Sequence, residues 1–146
     1  GSEMCIRDSL HTTPVISFVA KPGTLMTPLI ERLLPLLERE GLKVVHLIKE
    51  GSSVVFKNVF FEPTLENLSS SLSGADLVLT ENFGSDAPNK IEILRKDWSE
   101  TPLFAEKNLI AVLADFPYHA ETSLPVFELN KLKNIVTFLR EYLSKQ

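Results

Sequence analysis

The sequence contains few of the residue types on which several common protein chemistries depend. Among 146 residues there are six glycines, three histidines and a single cysteine, Cys5. One cysteine cannot form an internal disulfide or a thiolate metal cluster, so a zinc site would depend on histidine and carboxylate ligands. The histidines, His11, His46 and His119, lie far apart and lack ligand spacing. Each of them is therefore expected to be structural or exposed.

Positive charge and long apolar runs are also lacking. The formal net charge is −4 and no basic run occurs, which argues against nucleic acid or an anionic membrane as a partner. No apolar stretch approaches the roughly 20 residues that cross a bilayer, and the amino end lacks a signal-peptide apolar region. The sequence thus predicts a soluble cytoplasmic protein. Its 44% hydrophobic content is sufficient for one domain with a buried core.

The first nine residues, GSEMCIRDS, show neither strand nor helix periodicity. The string MCIRDS is similar to one reading frame of a common sequencing adapter. We therefore expect residues 1–9 to be a non-native leader, and residues 10–146 to form a single α/β domain.

The rest of the chain alternates apolar strand patterns with helical patterns. The predicted strands are Val15–Ala20, Leu42–Ile48, Val54–Phe61, Ala75–Thr80, Lys90–Arg95, Leu109–Ala114 and Val126–Leu129. The KIEILR segment alternates polar and apolar residues, which predicts that it is half-exposed. The predicted helices are Leu29–Leu37, with Thr27 as cap and Pro28 as first residue, a short one from Glu62 to Leu72, and Leu132–Leu143.

Continuous apolar strands separated by helices predict an α/β fold with a mostly parallel, doubly wound sheet. In such sheets ligands bind beyond the carboxyl ends of the strands. The segments expected at that edge are 20–27, 49–53, 81–84 and 115–117.

The segment after the first strand is arranged like a phosphate-binding loop. The eight residues that align with G-x-x-x-x-G-K-[ST] are AKPGTLMT, residues 20–27. Gly23 and Thr27 keep the flexible point and the hydroxyl. Leu25 replaces the second glycine, and Met26 replaces the lysine that reaches the outer phosphates. By itself the loop would not qualify as a phosphate-binding motif.

Three ordered blocks of the sequence are more distinctive. They are LIERLLPLLEREGLKVVHLIK, ADLVLTENF followed by NKIEILR, and NLIAVLADFP, and with the first strand they span most of residues 14–129. Together they resemble the molybdopterin-guanine dinucleotide biosynthesis protein B family (MobB-type). The resemblance implies a three-layer, P-loop NTPase-like fold, usually dimeric, that binds GTP and Mg²⁺. It also implies a molybdenum cofactor guanylyltransferase-type partner, and a GTPase activity that Met26 makes uncertain.

The resemblance also implies roles at positions that match the family's motifs. The candidate nucleotide-binding residues are Lys21, Gly23, Thr24, Thr27 and Asp115. Asp115 matches the acidic residue of the late S-D-x-P segment and is a candidate contact for the guanine base. Glu81 matches the acidic residue of the V-E-G-F segment, and Thr27 and Glu81 are the candidate Mg²⁺ ligands.

Each candidate also has a structural interpretation. Thr27 is suited to capping the helix alone, and Glu81 to a solvated turn at a strand end. Asp115 is suited to initiating a turn before Phe116 and Pro117. Lys21 is suited to being an exposed charge.

Two hypotheses follow for function. The first is an accessory GTP-binding protein of molybdopterin guanine dinucleotide biosynthesis that is weak or defective in nucleotide binding, which Thr27 and Glu81 favour. The second is a nucleotide-free scaffold or interaction protein for a cofactor-maturation partner. Met26 favours the second because it lacks charge, and Leu25 because its side chain is expected to obstruct the loop.

Overall fold

The computed structural model describes residues 13–58 and 74–146, which form a seven-stranded sheet with helices packed against it. The strands are β1 (Val15–Ala20), β2 (Val44–Glu50), β3 (Ser53–Asn58), β4 (Leu77–Glu81), β5 (Lys90–Leu94), β6 (Leu109–Ala114) and β7 (Val126–Glu128). The helices are α1 (Thr27–Arg39) and α2 (Leu132–Ser144). The predicted leader at residues 1–9 and the predicted helix at residues 62–72 lie outside the described residues.

The strand order is β3-β2-β4-β1-β5-β6-β7. Every neighbouring pair is parallel except β2 and β3, which form an antiparallel hairpin. β2 and β4 lie on one side of β1, and β5 to β7 lie on the other, so the chain winds in both directions from β1. The predicted mostly parallel, doubly wound α/β sheet is confirmed. The carboxyl ends of the parallel strands meet at one edge, as the sequence predicted.

The main core lies between one face of the sheet and both described helices. The leucines and isoleucine of α1 that recur at helical spacing are buried there, together with Ile135, Val136 and Leu139 of α2. They pack on alternate residues of the central strands, such as Ile16 and Phe18 of β1. This packing fixes the start of α1, and with it the loop that precedes the helix.

Among the described residues, the opposite face of the sheet carries two smaller clusters. One consists of Leu94, Leu109, Val112 and Ala114, and is covered by side chains from the segment 104–126. The other is centred on Val45, Ala75 and Val78. The connections after β5 and β6 therefore pack against the sheet.

The structure corrects the predicted exposure of β5. The KIEILR segment forms a strand at Lys90–Leu94, but Ile91 to Leu94 are all buried, including the charged Glu92. The Glu92 carboxylate accepts hydrogen bonds from the backbone amides of Leu103 (2.7 Å) and Phe104 (3.2 Å). The alternation therefore reflects a buried carboxylate that binds a loop, and not a solvated face.

The start of α1 also differs from the prediction. The helix begins at Thr27, and the preceding Met26 occupies the cap position without a side-chain cap hydrogen bond. The Thr27 hydroxyl instead donates to the Glu81 carboxylate at 2.8 Å. Because Thr27 is the first helical residue and its hydroxyl binds Glu81 and no backbone amide of the helix, the capping interpretation of Thr27 is wrong.

No helix in the described part of the chain is long and apolar enough to cross a membrane.

Candidate functional site

The β1–α1 loop lies at the carboxyl edge of the sheet, directly after the central strand. The amide of Thr24 donates to the carbonyl of Lys21 at 3.0 Å, which closes a turn around Gly23. Gly23 has a φ of +92°, in the region that favours glycine. The Thr24 hydroxyl is buried and has no hydrogen-bond partner among the described residues.

Leu25 and Met26, the two substituted positions of the loop, have opposite environments. Leu25 is 73% exposed, so its side chain lies in solvent, and its expected obstruction of a phosphate stays a prediction. Met26 is only 3% exposed and belongs to the main core. A thioether packed among leucines cannot supply the positive charge that outer phosphates require.

Trp98, from the connection between β5 and β6, contacts this loop. The Lys21 ammonium donates to the backbone carbonyl of Trp98 at 3.0 Å and lies 4.2 Å from the centre of its ring. A methyl group placed on Gly23 would approach Cζ2 of Trp98 to 2.8 Å, so the ring rests directly on the glycine. Lys21, which the sequence suggested was either a phosphate ligand or an exposed charge, is therefore partnered within the protein.

Thr27 and Glu81 come together as predicted, and His46 joins them. Glu81 is the last residue of β4 and is 2% exposed, so the interpretation as a solvated turn residue is wrong. One of its carboxylate oxygens accepts the Thr27 hydroxyl at 2.8 Å, and the other lies 3.0 Å from Nε2 of His46. His46 is fully buried, and its Nδ1 has no partner among the described residues. A buried carboxylate is thus bonded from two sides.

This arrangement does not match a magnesium site as it stands. Mg²⁺ keeps several waters and is commonly held by one or two carboxylates together with substrate phosphates. Both oxygens of Glu81 are already engaged, and the carboxylate is closed to solvent. Within residues 13–58 and 74–146, no group of three His, Cys, Asp or Glu side chains is placed to hold a metal ion.

Asp115 follows β6 and lines a cavity of about 620 Å³ between the start of α1 and the ends of β6 and β7. One Asp115 oxygen accepts the amide of Lys96 at 2.7 Å, and the other lies 3.4 Å from the Arg95 guanidinium. The side chains of Arg95 and Asp115 are each 37% exposed. The cavity also contains Arg32 of α1 and the ring of Phe116. Its volume lies within the usual range for small-molecule sites.

Glu106 binds Tyr118, one of the residues that line this cavity. Its carboxylate accepts hydrogen bonds from the hydroxyl and amide of Thr122, the amide of Glu121 and the hydroxyl of Tyr118. These bonds, led by that of the Thr122 hydroxyl, lower the pKa of Glu106. Burial, and then the bond to Glu106, raise the pKa of Tyr118, which lines the cavity.

The sequence candidates therefore form three separate groups. Lys21, Gly23 and Thr24 lie in the loop under Trp98, Thr27 and Glu81 lie beside His46, and Asp115 lines the cavity. Sequence reasoning missed Trp98, because nothing in the local pattern connects position 98 to position 21. It assigned His46 no special role, although the residue lies in a predicted strand that pairs with the strand of Glu81.

The family model for molybdopterin guanine dinucleotide synthesis protein B (MobB) matches residues 45–115. This range includes His46, Glu81, Trp98 and Asp115, and it excludes the β1–α1 loop. No curated protein matches the chain.

Several solved structures share the fold, including three of the MobB type. A crystal structure of molybdopterin-guanine biosynthesis protein B has a TM-score of 0.59 and 20% identity, and the match covers 89% of this chain and 99% of the other. A MobB homologue from Bacillus stearothermophilus gives 0.60 and 21%, with 90% and 99% covered. Bacillus subtilis MobB gives 0.56 and 20%, with 88% and 96% covered. These likenesses confirm the P-loop NTPase-like α/β fold.

Proposed function

Given a central segment that matches the MobB family model, we propose that this chain is an accessory protein of molybdopterin guanine dinucleotide biosynthesis. The observation that carries the proposal is the match over residues 45–115, which coincides with strands β2 to β6 of the sheet. The partner we propose is a molybdenum cofactor guanylyltransferase. A homodimer in the cytoplasm is the expected form of the protein.

Within this role, we propose that nucleotide binding is weak or defective. The loop that would hold the phosphates has a core methionine at the lysine position, and its remaining lysine is bonded to Trp98. The loss of one charge-assisted contact to phosphate costs about 1.5–3 kcal/mol, or roughly ten- to a hundredfold in affinity. The residues at this loop do not fit the phosphates of GTP in the arrangement described.

The parts of a nucleotide site that do fit lie elsewhere. The cavity beside Asp115 has room for a nucleoside, with Arg32 and Arg95 as donors and Phe116 as an apolar contact. The proposed guanine contact of Asp115 uses a carboxylate that Lys96 and Arg95 already orient. The role of Thr27 and Glu81 as Mg²⁺ ligands stays a prediction. It requires the hydrogen bond between the two side chains to break.

A nucleotide-free scaffold for the same partner is the second candidate. It is favoured by Glu81, whose two oxygens are both bonded within the protein to Thr27 and His46, because a buried carboxylate with internal hydrogen bonds contributes to the fold without any ligand.

The proposed role is tested by adding the purified chain to a molybdenum cofactor guanylyltransferase and following the transfer of guanosine monophosphate. We expect the two proteins to associate in calorimetry and the transfer to accelerate. The variant that separates the two candidates is Asp115→Asn, which keeps the size of the side chain and removes its charge. An absence of association and an unchanged transfer rate would contradict the role. Association with the native chain and no loss with Asp115→Asn would favour the scaffold.

A further inference from the structure

We propose that Trp98 is a latch that closes the β1–α1 loop against anionic ligands. Its carbonyl binds the only cationic side chain of the segment 20–27, and its ring covers Gly23. The inference rests on the proposed function only in naming nucleotide phosphates as the ligand that the latch excludes. The closure itself is argued from the contacts of Trp98.

Gly23 and the ring of Trp98 fit each other closely. The backbone φ of +92° at Gly23 favours glycine, and a Cβ atom there would approach Cζ2 of Trp98 to 2.8 Å, so a side chain at this position would require the ring to shift. Glycine in a phosphate loop lets the backbone approach the ligand, whereas here it lets the backbone approach the indole. The ring therefore occupies the space that an anion would need beside this glycine.

Trp98 is presented by a turn that is firmly held. The amides of Trp98 and Ser99 both donate to the carbonyl of Arg95, at 3.2 Å and 2.8 Å, and the Arg95 amide donates back to the Ser99 hydroxyl at 2.9 Å. The Lys96 amide donates to Asp115 at 2.7 Å. The latch is thus fixed to the ends of β5 and β6, while its ring remains 48% exposed. A large, half-exposed indole on a rigid turn can move from the loop by side-chain rotation alone.

The hydrogen bond to the Trp98 carbonyl does not occupy all the N–H donors of Lys21, because an ammonium has three donors. The loop is closed by the ring of Trp98, which contacts the Lys21 ammonium and Gly23 at the same time. An anion at the loop must displace the ring and give up the cation–π interaction. The strength of an exposed cation–π pair predicts that the latch lowers anion affinity by about two- to fivefold.

The test uses inorganic pyrophosphate as the probe and NMR as the measurement. Trp98 is the single tryptophan of the chain, so one indole N–H resonance reports on it. We expect Lys21→Met to shift this resonance without any ligand. We expect Trp98→Ala to bind pyrophosphate about two- to fivefold more tightly than the native chain, measured from the amide shifts of Gly23 and Thr24. The control is Leu103→Ala, which truncates another exposed apolar residue of the same connection and is expected to change neither result.

Three results would overturn the latch. They are an unchanged indole resonance in Lys21→Met, equal or weaker pyrophosphate binding by Trp98→Ala, and no binding by either protein. The indole measurement stands even if Trp98→Ala folds poorly. None of these experiments includes the partner protein or the cofactor, so failure of the latch leaves the proposed biosynthetic role to its own test.

Discussion

At the residue scale, Glu81 is a buried side chain at the carboxyl edge of the sheet, and both of its oxygens are bonded. It is a carboxylate at 2% exposure, and it stays there because Thr27 and His46 each bind one of its oxygens. A buried charge without such partners is strongly unfavourable. The group joins the start of α1 to β2 and β4, and thereby positions the loop that precedes the helix.

The hydroxyl of Thr27 should contribute measurably to this group. Thr27→Val keeps the shape of the side chain but leaves one Glu81 oxygen without its donor, so we expect the free energy of unfolding to fall by about 1–2 kcal/mol. Urea denaturation measures this difference. Thr24→Val is the matched control, because the buried Thr24 hydroxyl has no partner within residues 13–58 and 74–146 and its loss should be neutral or stabilising. Equal effects of the two substitutions would show that the hydrogen bond to Glu81 adds nothing.

At the element scale, two carboxylates hold the connections that follow β5 and β6. Glu92 binds the backbone at Leu103 and Phe104, and Glu106 binds the segment 118–122. Burial raises the pKa of Glu92, and the two backbone hydrogen bonds offset only part of that rise. The pKa of Glu106 is lowered by its hydrogen bonds. The two connections therefore depend on pH in opposite directions.

These directions predict opposite pH profiles for two neutral substitutions. Because folded Glu92 holds its proton more strongly than unfolded Glu92, its contribution to stability is complete below the ordinary pKa of 4.5 and is lost as pH rises through the folded pKa. The native chain should therefore lose stability relative to Glu92→Gln as pH increases from about 4.5. The native chain should lose stability relative to Glu106→Gln as pH falls through the lowered pKa of Glu106. Denaturation at a series of pH values measures both, and parallel curves for Glu92→Gln and the native chain would refute the assignment.

The sequence predicted most of these elements and little of their contacts. β1 and β6 have the predicted bounds, because continuous apolar runs between turn residues define buried strands. The burial of β5 was not predicted, since the pattern around Glu92 cannot show that a distant loop donates two amides to it. The loop site was only partly predictable for the same reason. The absence of a lysine at Met26 is visible in the sequence, whereas the contact of Trp98 with Gly23 depends on tertiary structure.

At the scale of the whole molecule, the sheet brings three groups to one edge. They are the loop covered by Trp98, the carboxylate shared by Thr27 and His46, and the cavity beside Asp115. The central strand β1 lies between β4 and β5, so its loop is placed where ligands bind in doubly wound sheets. Under the proposed function a nucleotide would lie at this edge, where the loop carries the buried Met26 and a lysine bonded to Trp98.

Calorimetric titration of the native chain with Mg-GTP tests this account most directly. A missing lysine contact and a closed loop together predict either no measurable binding or a dissociation constant on the order of 1 mM, because each lost charge-assisted contact weakens binding roughly ten- to a hundredfold. Binding in the low micromolar range, on the order of 1–10 µM, would require a phosphate-binding group that this arrangement does not provide, and would contradict the account.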